Sequence, residues 1–293
     1  MNRGTLARIA VRGWIRPLLP LPVARWLRWV LGRHDITRSW VSHSWEGVYR
    51  TYRDIQPPPG TADGFARRHN TQPAIDELRN ALELLRHRRP IETNPHDQYL
   101  ALPFLVGLTA ARHGGKVTVL DFGGGVGIEY AHVVSNLPDE IEIAYHIVEQ
   151  DWACRAGRSL WTRDRRILFH ESFPDVSGVS IVNANSSLQY VEDYQGALSA
   201  LCRYRAEYVL IAKTIFTEAP SFATVQMNTP GAFVPCWIFN IGEITDMLRR
   251  GGYSPLIRVP VESRESLDNI PIKCRPWVLV FHRESSTRPL GMT

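Results

Sequence analysis

Cysteine is scarce in this 293-residue chain: Cys154, Cys202, Cys236 and Cys274 stand singly, with no CxxC pair and no cysteine–histidine cluster. That spacing excludes a disulfide scaffold and a structural zinc site, and it suits a reducing cytoplasm. No carboxylate or histidine cluster carries metal-ligand spacing either, so no metal is expected. Long uncharged apolar runs are missing as well. A membrane-spanning helix needs about 20 apolar residues, and arginines break up the N-terminal apolar stretch every few positions. A secretory signal would show an unbroken apolar core and a small-residue cleavage site, and neither is seen. The phosphate-cradling string GxxxxGK[ST] does not occur.

Acidic residues are absent from residues 1–34, which hold seven arginines. The whole chain carries +5, so the rest sums to 5 − 7 = −2. A body of that charge is not a general nucleic-acid surface, and nucleic acid is not an expected partner. The arginines alternate with Trp14, Trp26, Trp29 and aliphatic residues, and Pro17, Pro20 and Pro22 cut the arm in two. Two readings stand: a helical lid on the catalytic domain, or peripheral contact with an anionic membrane face.

What is present is a globular balance, 44% hydrophobic and 22% charged, with length for one large α/β domain and additions or for two small domains. Residues 35–72 read as irregular, broken by Pro57, Pro58, Pro59, Gly60 and Gly64. Ile75, Leu78, Leu82 and Leu85 predict a helix over 73–88, and a second runs over about 98–112. Strand and helix then alternate. Runs at 116–120, 141–148, 166–169, 180–184 and 208–212 predict parallel strands joined by right-handed crossovers. Late runs at 254–261 and 277–282 suit an antiparallel sheet end. The expected division is an N-terminal arm and helical cap over 1–98 and a catalytic domain over 99–293.

The first run ends in Asp121-Phe-Gly-Gly-Gly-Val-Gly127. A dinucleotide fingerprint needs GxGxxG, and both registers fail, at Ile128 and at Tyr130. The spacing that fits is DxGxGxG: Asp121, Gly123, Gly125 and Gly127. Bare positions let main chain approach a ligand closely. Asp121 can accept from an ammonium group, and Glu149, at the end of the second run, can accept the hydroxyls of a ribose. A ligand with an amino-acid part and a nucleoside part but no phosphate satisfies both. S-adenosylmethionine has that form.

These residues resemble motif I and the following acidic motif of the class I S-adenosylmethionine-dependent methyltransferases. The resemblance covers about residues 100–283 and implies a Rossmann-like, doubly wound, mostly parallel α/β sheet with an N-terminal helical extension. Ser172 and Phe173 then edge the adenine, and Asn185 and Ser186 stand beside the sulfonium. Residues 185–188 lack the paired prolines with which enzymes methylating nucleobase amines commonly end this strand. A narrower resemblance, through Trp45-Glu46-Gly47-x-Tyr49, residues 186–190, Val225-Gln226 and residues 236–240, is to a little-characterised bacterial family of methyltransferase-like proteins. Its genes tend to lie beside glycosyltransferases of surface polysaccharide assembly, which implies a saccharide or lipid-linked glycan acceptor.

Residues 214–240 read as a long connection, of the length that is usually functional, and are expected to wall the acceptor site. Gln189, Tyr190, Gln226, Asn228 and Trp237 are its candidate contacts. His170, His43 and Tyr190 are the candidate bases, with Glu171 a weaker one. Other readings are an RNA or protein methyltransferase and a non-catalytic module that binds the same cofactor.

Overall fold

The computed structural model describes residues 44–55, 61–64, 76, 79, 83, 100–227, 232–261 and 270–284, all within one compact unit, Ser42–Thr293. The arm over 1–34, His43 and Asn228 lie outside the described residues, as does most of the helix expected over 73–88. Asp76, Arg79 and Glu83 of that stretch are helical.

Five β-branched runs build the parallel sheet: β3 (Lys116–Phe122), β4 (Glu142–Val148), β5 (Ile167–His170), β6 (Ile181–Asn185) and β7 (Tyr208–Thr217). Their order is β5-β4-β3-β6-β7, and every pair is parallel. Two strands extend it beyond β7. β11 (Cys274–Arg283) pairs antiparallel with β7, and β10 (Tyr253–Pro260) pairs antiparallel with β11. The chain winds outward from β3 through β4 to β5, then returns to β6 on the other side of β3. The switch point therefore lies between β3 and β6, where open α/β sheets bind ligands.

Alternate residues of each strand feed two cores. On one face Val117, Val119, Tyr145 and Ile181 pack under α1 (Ala101–Arg112), α2 (Ile128–Asn136) and α3 (Asp151–Leu160). On the other Leu120, Val182, Val209 and Ile211 pack under α4 (Tyr194–Cys202) and α5 (Ile241–Arg250). Each large aliphatic or aromatic side chain so buried contributes about 1.5–3 kcal/mol. Asn240 begins α5 by accepting from the amide of Glu243 at 2.9 Å, a cap of the kind that adds about 1 kcal/mol.

The stretch read as a connection, 214–240, is largely strand. β7 runs on to Thr217, and β8 (Phe222–Met227) and β9 (Ala232–Asn240) form an antiparallel pair. β9 alternates buried and half-buried residues as a strand with one covered face does. Pro235 obscures this in the sequence, because proline inside a run argues against a strand. It is tolerated because, among the described residues, β9 between Val234 and Ile238 has a partner on one side alone. The stretch read as irregular also holds a strand: β1 (Ser44–Tyr49) pairs antiparallel with β8, and β2 (Ala62–Asp63) pairs with β9. Gly47, at φ +80, sits where the β1 register slips, so the breaker residue marks a bulge within a strand. Residues 44–49 thus join the same sheet system as the C-terminal strands.

Candidate functional site

The turn between β3 and α2 carries the glycines, each held differently. Gly127, at φ +98, begins α2, and a Cβ there would lie 2.7 Å from the Trp161 indole nitrogen. That nitrogen donates to the carbonyl of Val126 at 2.9 Å. Gly123 meets the side chain of Ser187 just as closely. Gly125 differs: at φ +58 it would place a Cβ in open space. Among the described residues nothing lies within 4 Å of that position, which is the condition for close approach of a ligand to main chain.

Asp121 lies beneath the turn rather than in the crevice. It is 1% exposed, and both carboxylate oxygens are engaged, Oδ2 by the Tyr145 hydroxyl and Oδ1 by the Asn183 amide, each at 2.7 Å. Burial pushes its carboxyl up to about 6 despite those two bonds. The same burial, with Asp121 alongside, drives the Tyr145 hydroxyl well above its ordinary value. Glu149 stands at the end of β4 as expected and reaches back across the crevice. Oε1 accepts from the amide of Gln150 at 2.7 Å and Oε2 from the amide of Gly125 at 3.3 Å. Burial raises its pKa, and the two amides oppose the rise. The structure thus brings the acid and the open glycine together.

At the end of β5, Phe173 stacks on Phe122, the rings 5.6 Å apart and nearly parallel, with one face partly exposed. Ser172 is exposed on the same turn, and Glu171 pairs with Arg158 at 3.3 Å. His170 is committed elsewhere: its Nε2 lies 3.0 Å from Nδ1 of His146, the rings stacked. Burial holds both imidazoles below their ordinary pKa, with the neighbouring histidine adding for His146 and Arg158 for His170.

The ends of β6 and β7 carry a polar layer that the sequence pattern does not announce. Asn185 donates to Oε1 of Glu129, which is 5% exposed on the first turn of α2. Nζ of Lys213 lies 3.9 Å from the same oxygen. Burial pushes the Glu129 carboxyl up to about 8, against the pull of Lys213 and with Asp121 adding to the rise. Ser186 (φ 53) and Lys213 (φ 49) both adopt the left-handed backbone, a costly state for residues with a Cβ.

Beyond β6 four of the five candidate acceptor residues are described, and each is held by hydrogen bonds. The Tyr190 hydroxyl donates to Oε1 of buried Gln226 at 2.9 Å. Gln189 donates to the Ser186 hydroxyl at 3.2 Å and accepts from Thr214 at 3.2 Å. Trp237 donates to the carbonyl of Glu192 and lies against Tyr194, edge to face at 5.2 Å. Tyr52, which sequence reasoning missed, ties this group together. Its hydroxyl is 2.7 Å from the Pro235 carbonyl oxygen and 3.1 Å from that of Gln189, and its ring is 5.4 Å from Trp237. Burial drives its pKa far up, so it stays a neutral donor. Among the described residues no three His, Cys, Asp or Glu side chains gather as metal ligands, and no helix is long and apolar enough to cross a membrane.

The parallel block, its switch point and the reversed strand beyond β7 make up the sheet that the glycine turn implies. The fold is of the class I methyltransferase type. No protein-family profile matches the sequence, and no curated protein does. Among solved structures, the chain is similar to the 1,6-didemethyltoxoflavin-N1-methyltransferase of Burkholderia thailandensis, at 14% identity over 86% of this chain and 99% of that one, TM-score 0.45. It is also similar to an amino pentose methyltransferase of Micromonospora echinaspora (12% identity, 66% and 92% covered, TM-score 0.45). A third is a sugar N-methyltransferase of a Streptoalloteichus species (14%, 65% and 90%, TM-score 0.44). The fold assignment rests on the strand order itself, not on these distant likenesses.

Proposed function

We propose that the chain is an S-adenosylmethionine-dependent methyltransferase that methylates a hydroxyl of a saccharide, lipid-linked in surface polysaccharide assembly. The observation that carries the cofactor half is the pairing of Glu149 with the amide of Gly125, across a turn whose Gly125 side is bare. A carboxylate beside open main chain at the switch point is placed to accept ribose hydroxyls. The partly exposed Phe173 ring, stacked on Phe122, offers aromatic surface to the adenine. Asp121 serves from below, holding the turn in shape through Tyr145 and Asn183.

Bound S-adenosylmethionine supplies a methyl group on a cationic sulfur. The chain's own share is alignment, which supplies on the order of 7–11 kcal/mol when the reacting atoms are held close and in line. Half-buried Tyr52 and Trp237 present aromatic surface and half-buried Tyr190 a hydroxyl, held from behind by buried Tyr194, Gln189 and Gln226. That mixture fits a sugar, whose C–H faces pack on rings while its hydroxyls bond. Tyr190 is the described candidate base that stands within this wall; a positioned base adds roughly 10²–10⁴-fold. The enzyme works in the cytoplasm, with the basic arm over 1–34 touching the inner membrane face where a lipid-linked acceptor is presented.

The test is transfer of labelled methyl from S-adenosylmethionine to cell extracts separated into lipid-linked glycan, RNA and protein. Label is expected in the glycan fraction. Label confined to RNA or protein overturns the acceptor, and no label in any fraction overturns the activity.

A further inference from the structure

The polar layer over the ends of β6 and β7 includes a buried carboxylate whose surroundings are incomplete. Glu129 Oε1 is engaged by Asn185, but Oε2 is fully buried with no hydrogen-bond partner among the described residues. The nearest cation, Lys213, stands at 3.9 Å from Oε1, outside hydrogen-bond distance. A buried carboxylate oxygen without a donor is costly and rare, and such groups ask for an explanation. Asp121, the carboxylate nearest the turn in sequence, already accepts one bond on each oxygen, from Tyr145 and Asn183.

Two further facts point the same way. Ser186, just past β6, and Lys213, within β7, lie side by side, with the Ser186 amide donating to the carbonyl of Ala212 at 2.9 Å. Both are in the left-handed backbone region, the strain that clusters at ligand clamps. Glu129 also sits two residues after Gly127, so its side chain rises from the same turn that offers bare main chain at Gly125. A buried carboxyl group and a cation, 3.9 Å apart, are complementary to an amino-acid zwitterion, whose ammonium group favours the ionised carboxylate.

We propose that Glu129 and Lys213 hold the amino-acid end of the cofactor, Glu129 taking its ammonium group and Lys213 its carboxylate. The ammonium supplies the donor that Oε2 lacks, and Asn185 keeps the carboxylate oriented. This rests on the cofactor reading above and adds the residues that recognise the half of the ligand away from Glu149.

The full chain is titrated with S-adenosylhomocysteine and with 5′-methylthioadenosine, which keeps the nucleoside and lacks the amino-acid end. For Glu129→Gln and Lys213→Met, affinity for S-adenosylhomocysteine is expected to fall at least about tenfold, the scale of a charged hydrogen bond. Affinity for methylthioadenosine is expected to stay within about twofold of wild type, which also reports an intact pocket. Unchanged S-adenosylhomocysteine affinity in both variants overturns the assignment, as does equal loss for both ligands. If the wild-type chain binds neither compound, the cofactor reading itself has failed.

Discussion

The carboxylate of Glu149 accepts from two backbone amides, those of Gln150 and Gly125, so its orientation is set before any ligand arrives. Replacing it with alanine removes the proposed ribose acceptor and leaves the sheet untouched. Glu149→Ala is expected to weaken S-adenosylhomocysteine by about 10–100-fold, one to two charged hydrogen bonds, with an unchanged thermal melting curve. Calorimetry together with melting checks both halves. Asp121 and Glu129 behave differently, because burial raises their carboxyl pKa values to about 6 and about 8. Between the ordinary carboxylate range and those values the folded chain binds more protons than the unfolded one. Their contribution to stability is therefore greatest in acid and is lost as pH rises through about 4 to 8. From pH 5 to pH 8 the wild-type unfolding free energy is expected to fall more than that of Glu129→Gln, by on the order of 2–4 kcal/mol. Urea unfolding at the two pH values measures that difference, and equal slopes would remove the buried-carboxylate account.

The glycine turn separates binding from stability by position. Gly125→Ala places a methyl group in open crevice, at a backbone cost of about 1–2 kcal/mol, and is expected to abolish cofactor binding in a folded protein. Gly127→Ala drives a methyl group into Trp161 and Ile167 and is expected to cost more in stability, about 2–4 kcal/mol by urea unfolding. The β8–β9 pair gives a third contrast: Trp237→Ala is expected to raise the acceptor KM several-fold and leave S-adenosylhomocysteine affinity unchanged. The turn, Glu149 and the five parallel strands were legible in the sequence because β-branched runs and a spaced glycine string are local signals. The β8–β9 pair and β1 were not legible, because Pro235 and Gly47 imitate breakers and the strands that shelter them come from distant segments. Glu129 and Lys213 were hidden for a similar reason: a glutamate on a first helical turn reads as an N-terminal charge, and only the fold buries it.

Across the whole molecule, winding outward from β3 and back to β6 brings the carboxyl ends of β3, β4, β6 and β7 to one edge. That edge gathers Glu149, Gly125, Asn185, Glu129 and Lys213, residues up to 88 positions apart (213 − 125). One end of the arrangement carries the Glu149 carboxylate, the other a buried Glu129 carboxyl beside Lys213, and the open glycine lies at the turn linking β3 to α2. The central claim is that this edge fits a phosphate-free adenosyl amino acid. Calorimetric titration of the full chain with S-adenosylhomocysteine, beside an equal titration with NAD, tests it most directly. Saturation by the former at one molecule per chain, with no heat from the latter, is the expected result. Binding of NAD in its place, or of neither, would contradict the account.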